Sequence, residues 1–114
     1  MLVANNTGVA ADPGITKETE ILSWVADGQE FFLGFMATGT YSGMFKLYVK
    51  LPQIGGNVTQ EICYYLYQTS PSNRTAYVVD RITKYDSGTK ISLRVSHDSA
   101  NTETFYGTLL GGAN

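Results

Sequence analysis

The sequence predicts an all-β domain, an antiparallel β-sandwich or jelly roll of seven or eight strands, on three observations. Short runs with strand character recur about every twelve to fifteen residues. Turn-forming residues (Gly, Asn, Asp, Ser or Pro) separate each run from the next. No window of twelve residues keeps the apolar spacing of an amphipathic helix. The runs cover residues 17–25, 30–38, 44–51, 58–69, 74–83, 89–97 and 102–110.

The first three runs differ in their apolar pattern. The first ends at Asp27-Gly28, a dipeptide typical of a hairpin turn. The second is apolar almost throughout, which predicts a strand covered on both faces. The third alternates apolar and polar residues, so that Phe45, Leu47 and Val49 are expected to face the core.

The later runs supply the rest of the expected core. The fifth run is rich in β-branched residues, which favour strands. The sixth alternates without error and points Ile91, Leu93 and Val95 inward, and the seventh adds Phe105. The predicted core therefore comprises Phe45, Leu47, Val49, Ile91, Leu93, Val95 and Phe105.

Residues 1–15 are expected to form a flexible N-terminal arm, and residues 16–114 the single sandwich domain. The segments Asn5-Asn6-Thr7-Gly8 and Ala11-Asp12-Pro13-Gly14 have turn chemistry and no sustained periodicity. A segment of this kind is either disordered or ordered by a neighbouring chain. Asn5, Asn6 and Asp12 are therefore candidate interface residues.

Composition and charge exclude several classes of partner. Only 16% of the residues are charged and the net charge is −2, which does not favour nucleic acid or an anionic membrane. No stretch approaches the roughly 18 apolar residues of a membrane span. The first residues lack a basic segment followed by an apolar one, so we expect a protein made in the cytoplasm and not secreted.

The pattern of reactive side chains predicts that the protein is not an enzyme and holds no metal or cofactor. The chain has one histidine, His97, and one cysteine, Cys63, and no zinc-ligand spacing, P-loop or nucleophile elbow. His97 is in phase with inward residues and is expected to be either a histidine with its hydrogen bonds satisfied or one at the rim of the core. Cys63 is expected to be a half-buried packing residue. Asp27 and the other dispersed turn aspartates are expected to cap their own backbone.

Tyrosines are the remaining functional signal. Alternation places Tyr65 and Tyr67 on one face of the fourth run, and Tyr48 at an outward position of the third. If these two strands pair as a hairpin, the three tyrosines form a surface patch suited to a protein interface or to stacking on sugar rings. The alternative is that a second sheet or the N-terminal arm covers them.

Several segments together resemble small virion structural proteins of tailed phages. In those proteins an "A-T-G-T, small loop, F-x-L-Y-V" strand pair precedes "T-S-P-x-N-R-T-A" and then "L-x-V-x-H…F-x-G-T-L-L-G-G". This chain carries matching segments at residues 37–49, 69–76, 93–97 and 105–112. It departs from the pattern at residues 50–57, where those proteins often have a short Asp-Gly turn.

The resemblance implies a capsid decoration or cement protein, present in the virion in many copies. Its expected partners are major capsid or tail subunits and copies of itself, without nucleic acid or membrane. Two other roles remain open: an accessory protein of the tail or baseplate, or a fibre-tip module that binds a surface glycan. A plain oligomeric scaffold outside any virus is also open.

Overall fold

The computed structural model describes residues 2–53 and 60–113. This part of the chain forms nine β-strands, and it contains no helix. The strands are β1 (Ala4–Asn5), β2 (Val9–Ala11), β3 (Gly14–Val25), β4 (Glu30–Gly39), β5 (Met44–Lys50), β6 (Glu61–Gln68), β7 (Ala76–Lys84), β8 (Lys90–His97) and β9 (Glu103–Ala113).

The strands form two antiparallel sheets that pack as a sandwich. The first sheet has the order β1-β9-β4-β7, and β2 also pairs with β9. The second sheet has the order β3-β8-β5-β6. The predicted all-β sandwich is therefore confirmed. All seven predicted runs are strands, although the predicted start of the fourth run at Val58 lies outside the described residues.

The N-terminal segment accounts for the difference between seven or eight predicted strands and nine observed. Ala4 pairs with Leu109, and Val9 pairs with Phe105. Ala11 is completely buried. The segment was expected to pack little on its own domain, yet it covers one edge of β9. The segment has only a few apolar residues, separated by turns, so its sequence shows no periodic pattern. Its two short strands, β1 and β2, each pair with the single strand β9.

Most connections cross from one sheet to the other. The turn at Asp27-Gly28, predicted to close a hairpin, instead joins β3 of the second sheet to β4 of the first. The backbone N–H groups of Gln29 and Glu30 donate to Asp27 Oδ1 at 2.8 and 3.1 Å, and Gly28 has φ +84°. The turn at Asp27-Gly28 was predicted correctly. The sheet that the following strand joins depends on packing, which the turn residues do not reveal. Among the described strands, β5 and β6 are the sequence neighbours that pair directly as a hairpin.

The core lies between the sheets and matches the predicted one closely. Phe45, Leu47, Ile91, Leu93, Val95 and Phe105 are each at most 2% exposed. Val49 is half-buried and packs against this cluster. Phe35 and Leu109 add fully buried side chains from β4 and β9. The rings of Phe45 and Phe105 meet edge to face across the sandwich, with centroids 5.9 Å apart.

Candidate interaction surfaces

The outer face of β9, β4 and β7 carries a continuous set of exposed and half-buried apolar and hydroxyl side chains. Register places Met36 between Thr108 and Tyr77, and Thr38 beside Tyr106. A third row runs from Leu110 across Gly34 to Val79. We call this surface the Tyr77/Tyr106 face; its side chains are Met36, Thr38, Thr75, Tyr77, Val79, Tyr106, Thr108 and Leu110.

This face is uncharged in its centre. Residues 34–38, 75–79 and 106–110 include no Asp, Glu, Lys or Arg. Tyr77 is 63% exposed, and Val79, Met36 and Tyr106 are also exposed. Charged residues follow at the rim, where Arg74 donates to the carbonyl oxygen of Thr40 at 2.9 Å. An apolar centre rich in tyrosine with a polar rim is the usual anatomy of a protein interface.

A groove of about 180 Å³ lies on this face where it meets the N-terminal segment. Asn5, Asn6 and Tyr106 line it, together with Met36 and Thr108. The Thr108 hydroxyl donates to Asn5 Oδ1 at 2.8 Å, which holds the Asn5 side chain at the groove. Two of the predicted interface residues, Asn5 and Asn6, therefore lie beside a tyrosine that the sequence pattern did not single out.

Gly8 lets the N-terminal segment lie against Tyr106. Its φ is +131°, a backbone conformation that residues other than glycine rarely adopt. A Cβ atom at this position would lie 2.8 Å from Cε1 of Tyr106. Asn6 accepts a hydrogen bond from the Gly8 N–H at 2.9 Å and donates from Nδ2 to the carbonyl oxygen of Ile21 at 3.0 Å. Asp12, the third predicted residue of this segment, has one contact among the described residues, at 3.5 Å from the Thr102 hydroxyl.

The predicted tyrosine patch on β5 and β6 does not form, because a β-bulge changes the phase of β6. Leu47 faces Tyr65, but the next residue of β5, Tyr48, faces Cys63, which leaves Tyr64 as the extra residue. Directly paired residues share a face. Tyr65 and Tyr67 therefore point inward with the core residues of β5, whereas Tyr48 points outward.

The inward tyrosines contact the core, as the alternative of a covering second sheet predicted. Tyr67 packs against the core cluster, and Tyr65 meets Phe35 edge-on with ring centroids 6.3 Å apart. Tyr65 remains 36% exposed because β6 is at the edge of its sheet. Burial of the Tyr64 hydroxyl, followed by the proximity of Tyr85 and Asp80, raises the pKa of Tyr64 above its ordinary value.

Tyr48 belongs to a polar network on the outer face of the second sheet. Its hydroxyl lies 2.7 Å from both carboxylate oxygens of Glu18, and the Arg94 guanidinium stacks 4.2 Å from the centre of its ring. Lys46 pairs with Glu18 at 2.8 Å, and Arg94 pairs with Glu61 at 2.6 Å. Burial opposes ionisation of Glu18, but the hydrogen bonds from Lys46 and Tyr48 outweigh it and lower the pKa of this carboxyl.

His97 is buried and both ring nitrogens have partners. Nε2 lies 2.8 Å from the carbonyl oxygen of Ala11, and the Ser99 N–H donates to Nδ1 at 3.2 Å. Because Nδ1 accepts, the ring proton sits on Nε2, which donates to Ala11. This arrangement agrees with the predicted satisfied histidine. His97 also borders a depression of about 490 Å³ at one end of the sandwich, which Tyr41 and Asp98 line as well.

Cys63 is exposed, so the prediction of a half-buried packing residue was wrong. The bulge at Tyr64 turns the Cys63 side chain outward, opposite Tyr48. Cys63 and His97 lie at different ends of the second sheet, since Tyr48 pairs with Ser92 on β8, five residues before His97. Within residues 2–53 and 60–113, no group of three or more His, Cys, Asp or Glu side chains could hold a metal ion.

No helix in the described part of the chain is long and apolar enough to cross a membrane. Comparison with protein-family models and with curated protein sequences gave no match.

Proposed function

We propose that this chain is a non-enzymatic structural protein of a tailed-phage virion, a capsid decoration or cement protein. It binds neighbouring capsid subunits through the Tyr77/Tyr106 face and the adjoining N-terminal segment. The single observation that carries the proposal of a contact surface is the uncharged centre of this face, with Tyr77 63% exposed. The virion context rests on the sequence resemblance over residues 37–112.

Physical chemistry favours a protein partner for this face. Interface energy concentrates in a few aromatic anchors surrounded by polar groups that exclude water. Tyr77 and Tyr106 supply two such anchors, and each can bury a large apolar ring while its hydroxyl keeps a hydrogen bond. Strands β4 and β9, which carry the centre of the face, also hold the buried side chains of Phe35 and Leu109. The partner therefore meets a surface ordered by the core and loses little entropy in fixing it.

A second function, binding of a neutral glycan, is favoured by the groove itself. A tyrosine ring beside amide and hydroxyl groups suits a sugar, which needs a stacking surface and several hydrogen bonds. The groove volume of about 180 Å³ is below the roughly 300–1,000 Å³ of ordinary small-molecule sites, however. It fits one inserted side chain or a single sugar ring, so a protein anchor remains the better-supported occupant. Binding on a glycan array that is abolished by Tyr106→Ala would support the glycan function instead.

The location is tested by mass spectrometry of purified phage particles whose genome encodes this chain. We expect the chain in the particles in many copies, and in the head fraction after heads and tails are separated. Recovery in the tail fraction would assign it as a tail or baseplate accessory. Absence from purified particles would refute a virion role altogether.

The binding surface is tested by adding purified protein to particles that lack it and measuring co-sedimentation. Tyr77→Asp places a charge in the apolar centre and should reduce binding sharply. Val25→Asp is the matched control, because Val25 is 59% exposed at the end of β3 in the other sheet and should bind as the wild type does. Equal binding of both variants would show that the Tyr77/Tyr106 face is not the contact.

A further inference from the structure

Strand β6 is a sheet edge with apolar side chains exposed along its length. It pairs with β5 on one side and is the last strand of its sheet. Ile62, Tyr64, Tyr65 and Leu66 are between 36% and 62% exposed. Residues 62–68 include no charged residue, no proline and no glycine. An uncharged apolar segment on an exposed sheet edge is prone to pair with a strand of another chain.

The other described edges carry features that oppose strand addition, and β6 has fewer of them. Strand β3 carries Lys17, Glu18 and Glu20 and two register irregularities. Strand β7 carries Asp80 and Arg81 next to an irregularity in its pairing with β4. The edge of β9 is covered by the short strands β1 and β2. Charges, bulges and short strands are the usual protection of edges.

The charge at the start of β6 is already neutralised within the chain. Glu61 accepts from Arg94 at 2.6 Å on the outer face of the sheet. The bulge at Tyr64 interrupts the pairing with β5 but leaves Tyr65–Tyr67 in regular register with Phe45–Leu47. From Tyr65 onward the edge is therefore uncharged and in regular register with β5, and no described strand pairs with its free side.

We propose that β6 pairs antiparallel with β6 of a second copy of this chain, so that the two copies form a dimer with a continuous eight-stranded sheet. The count follows from the four strands of the second sheet in each copy. A two-fold pairing sets each strand against itself, and an uncharged strand meets itself without like-charge repulsion. The same pairing at β7 would bring Asp80 or Arg81 against its own copy.

Four residues of β6 supply about half of the surface that a standard dimer interface takes from one partner. A standard interface takes about 800 Å² from each partner, of which roughly 60% is apolar, or about 500 Å². The exposed surface of Ile62, Tyr64, Tyr65 and Leu66, polar atoms included, amounts to on the order of 400 Å², taking aromatic residues as roughly 150–250 Å². Cys63 and Gln68 on the same strand are also exposed and add to this surface.

The requirement that paired residues lie on the same face of the sheet limits the possible registers of the β6–β6 pairing. Residues opposite one another in an antiparallel pair must lie on the same face, so their numbers differ by an even number in a regular segment. A two-fold axis at Leu66 satisfies this condition. It sets Leu66 against Leu66 of the second copy on the outer face, and Tyr65 against Tyr67 of the second copy on the inner face.

Sedimentation equilibrium of the full chain tests the proposal. We expect wild-type protein to sediment at twice its monomer mass of 12.5 kDa. Leu66→Lys places a charge at the two-fold axis and should give a monomer with an unchanged circular dichroism spectrum, because the side chain is already exposed. Val25→Lys, equally exposed on another strand, should remain a dimer. A monomeric wild type, or a dimeric Leu66→Lys, would overturn the proposal.

A cross-link tests the register and covers the case in which Leu66→Lys fails to fold. In the double variant Cys63→Ser, Leu66→Cys, mild oxidation should give a covalent dimer in high yield, because opposed Cβ atoms in such a pair lie within about 4.5–5.5 Å. The control variant, Cys63→Ser with Val25→Cys, should form no covalent dimer. A Leu66→Cys variant that stays monomeric after oxidation would rule out a two-fold axis at this residue. The proposed dimer rests on β6 and not on the Tyr77/Tyr106 face. A protein that dimerises but does not bind particles would therefore refute only the proposed contact with the particle.

Discussion

The hydroxyl of Tyr48 on β5 donates to the carboxylate of Glu18 on β3, 2.7 Å away, although β8 lies between these two strands. The tyrosine ring crosses the outer face of β8 beneath the guanidinium of Arg94, 4.2 Å from its centre. Tyr48 therefore joins three strands of the second sheet. A residue expected at a protein interface instead has its ring and its hydroxyl committed within its own domain.

Tyr48→Phe should lower the free energy of unfolding by about 1 kcal/mol. A hydrogen bond to a charged group is worth roughly 1.5–3 kcal/mol, and partial exposure reduces it here. The Arg94 stack survives in phenylalanine. Urea denaturation followed by circular dichroism measures the change, with Tyr77→Phe as the control because the exposed Tyr77 hydroxyl has no partner among the described residues. Equal stability of Tyr48→Phe and wild type would mean that water replaces the Glu18 contact without loss.

Acid should destabilise the protein through its bonded carboxylates. Hydrogen bonds lower the pKa of Glu18, of Asp27 (from the Gln29 and Glu30 amides) and of Glu103 (from the Ser99 and Thr40 hydroxyls). A carboxyl with a lowered folded pKa contributes stability above its unfolded pKa, 4.5 for glutamate and 3.8 for aspartate, and loses it as pH falls through the folded pKa. We expect the free energy of unfolding to fall between about pH 5 and pH 3.

Glu18→Gln isolates one part of this acid dependence. The variant should be less stable than wild type near neutral pH, since the amide cannot pair with Lys46, and should lose less on going to acid. Urea denaturation at about pH 7, 4 and 3 gives both quantities. Glu30→Gln is the matched control, because the described residues offer its carboxylate no side-chain partner, and it should follow the wild-type slope. An unchanged slope in Glu18→Gln would show that the Lys46 pair contributes no pH dependence.

Local sequence patterns predicted the strands of this fold well. They failed where contacts between residues far apart in the sequence decide which face of a sheet a side chain occupies. Leu93 and Phe45 follow strict alternation, and their burial follows directly from it. The faces of Tyr65 and Tyr67 depend on a bulge at Tyr64, which the six-residue run of strand formers around it does not reveal. Tyr77 and Tyr106 sit on strands far apart in the sequence that β4 brings together. No feature of either strand alone indicates that shared face.

Leu93→Ala should destabilise the protein by about 2–5 kcal/mol, the range for large-to-small changes in a well-packed core. Leu93 is fully buried and pairs with Leu22 on one side and Leu47 on the other. Val25→Ala, at an exposed site, should change stability by less than about 0.5 kcal/mol. Thermal melting and urea denaturation of both variants measure the difference. A loss below about 0.5 kcal/mol in Leu93→Ala would place this side chain outside the core.

The N-terminal segment contributes to the fold through backbone pairing and through His97. The Val3 N–H donates to the Leu109 carbonyl at 2.9 Å, and the Asn6 N–H donates to the Gly107 carbonyl at 3.2 Å. The Ala11 carbonyl accepts from the buried Nε2 of His97. Without residues 2–11, the Nε2–H group would lose this partner, and His97, which is 1% exposed while the segment is in place, would depend on water to replace it. A buried polar group left without a partner costs about 1–3 kcal/mol.

Deletion of residues 2–11 should therefore lower the free energy of unfolding by at least about 3 kcal/mol, through the loss of the His97–Ala11 hydrogen bond and the exposure of apolar surface on β9. The structure thus differs from the expected flexible arm, because the segment pairs with β9 of its own domain. Circular dichroism melting and urea denaturation measure the loss. Asp12→Ala, next to the deleted residues, is the control, since within the described part of the chain its carboxylate receives a single 3.5 Å contact, from Thr102, and it should change stability by less than about 0.5 kcal/mol. A deletion variant that melts within a few degrees of wild type would show that β1 and β2 lie on the domain without stabilising it, and would return the segment to the role of a free arm.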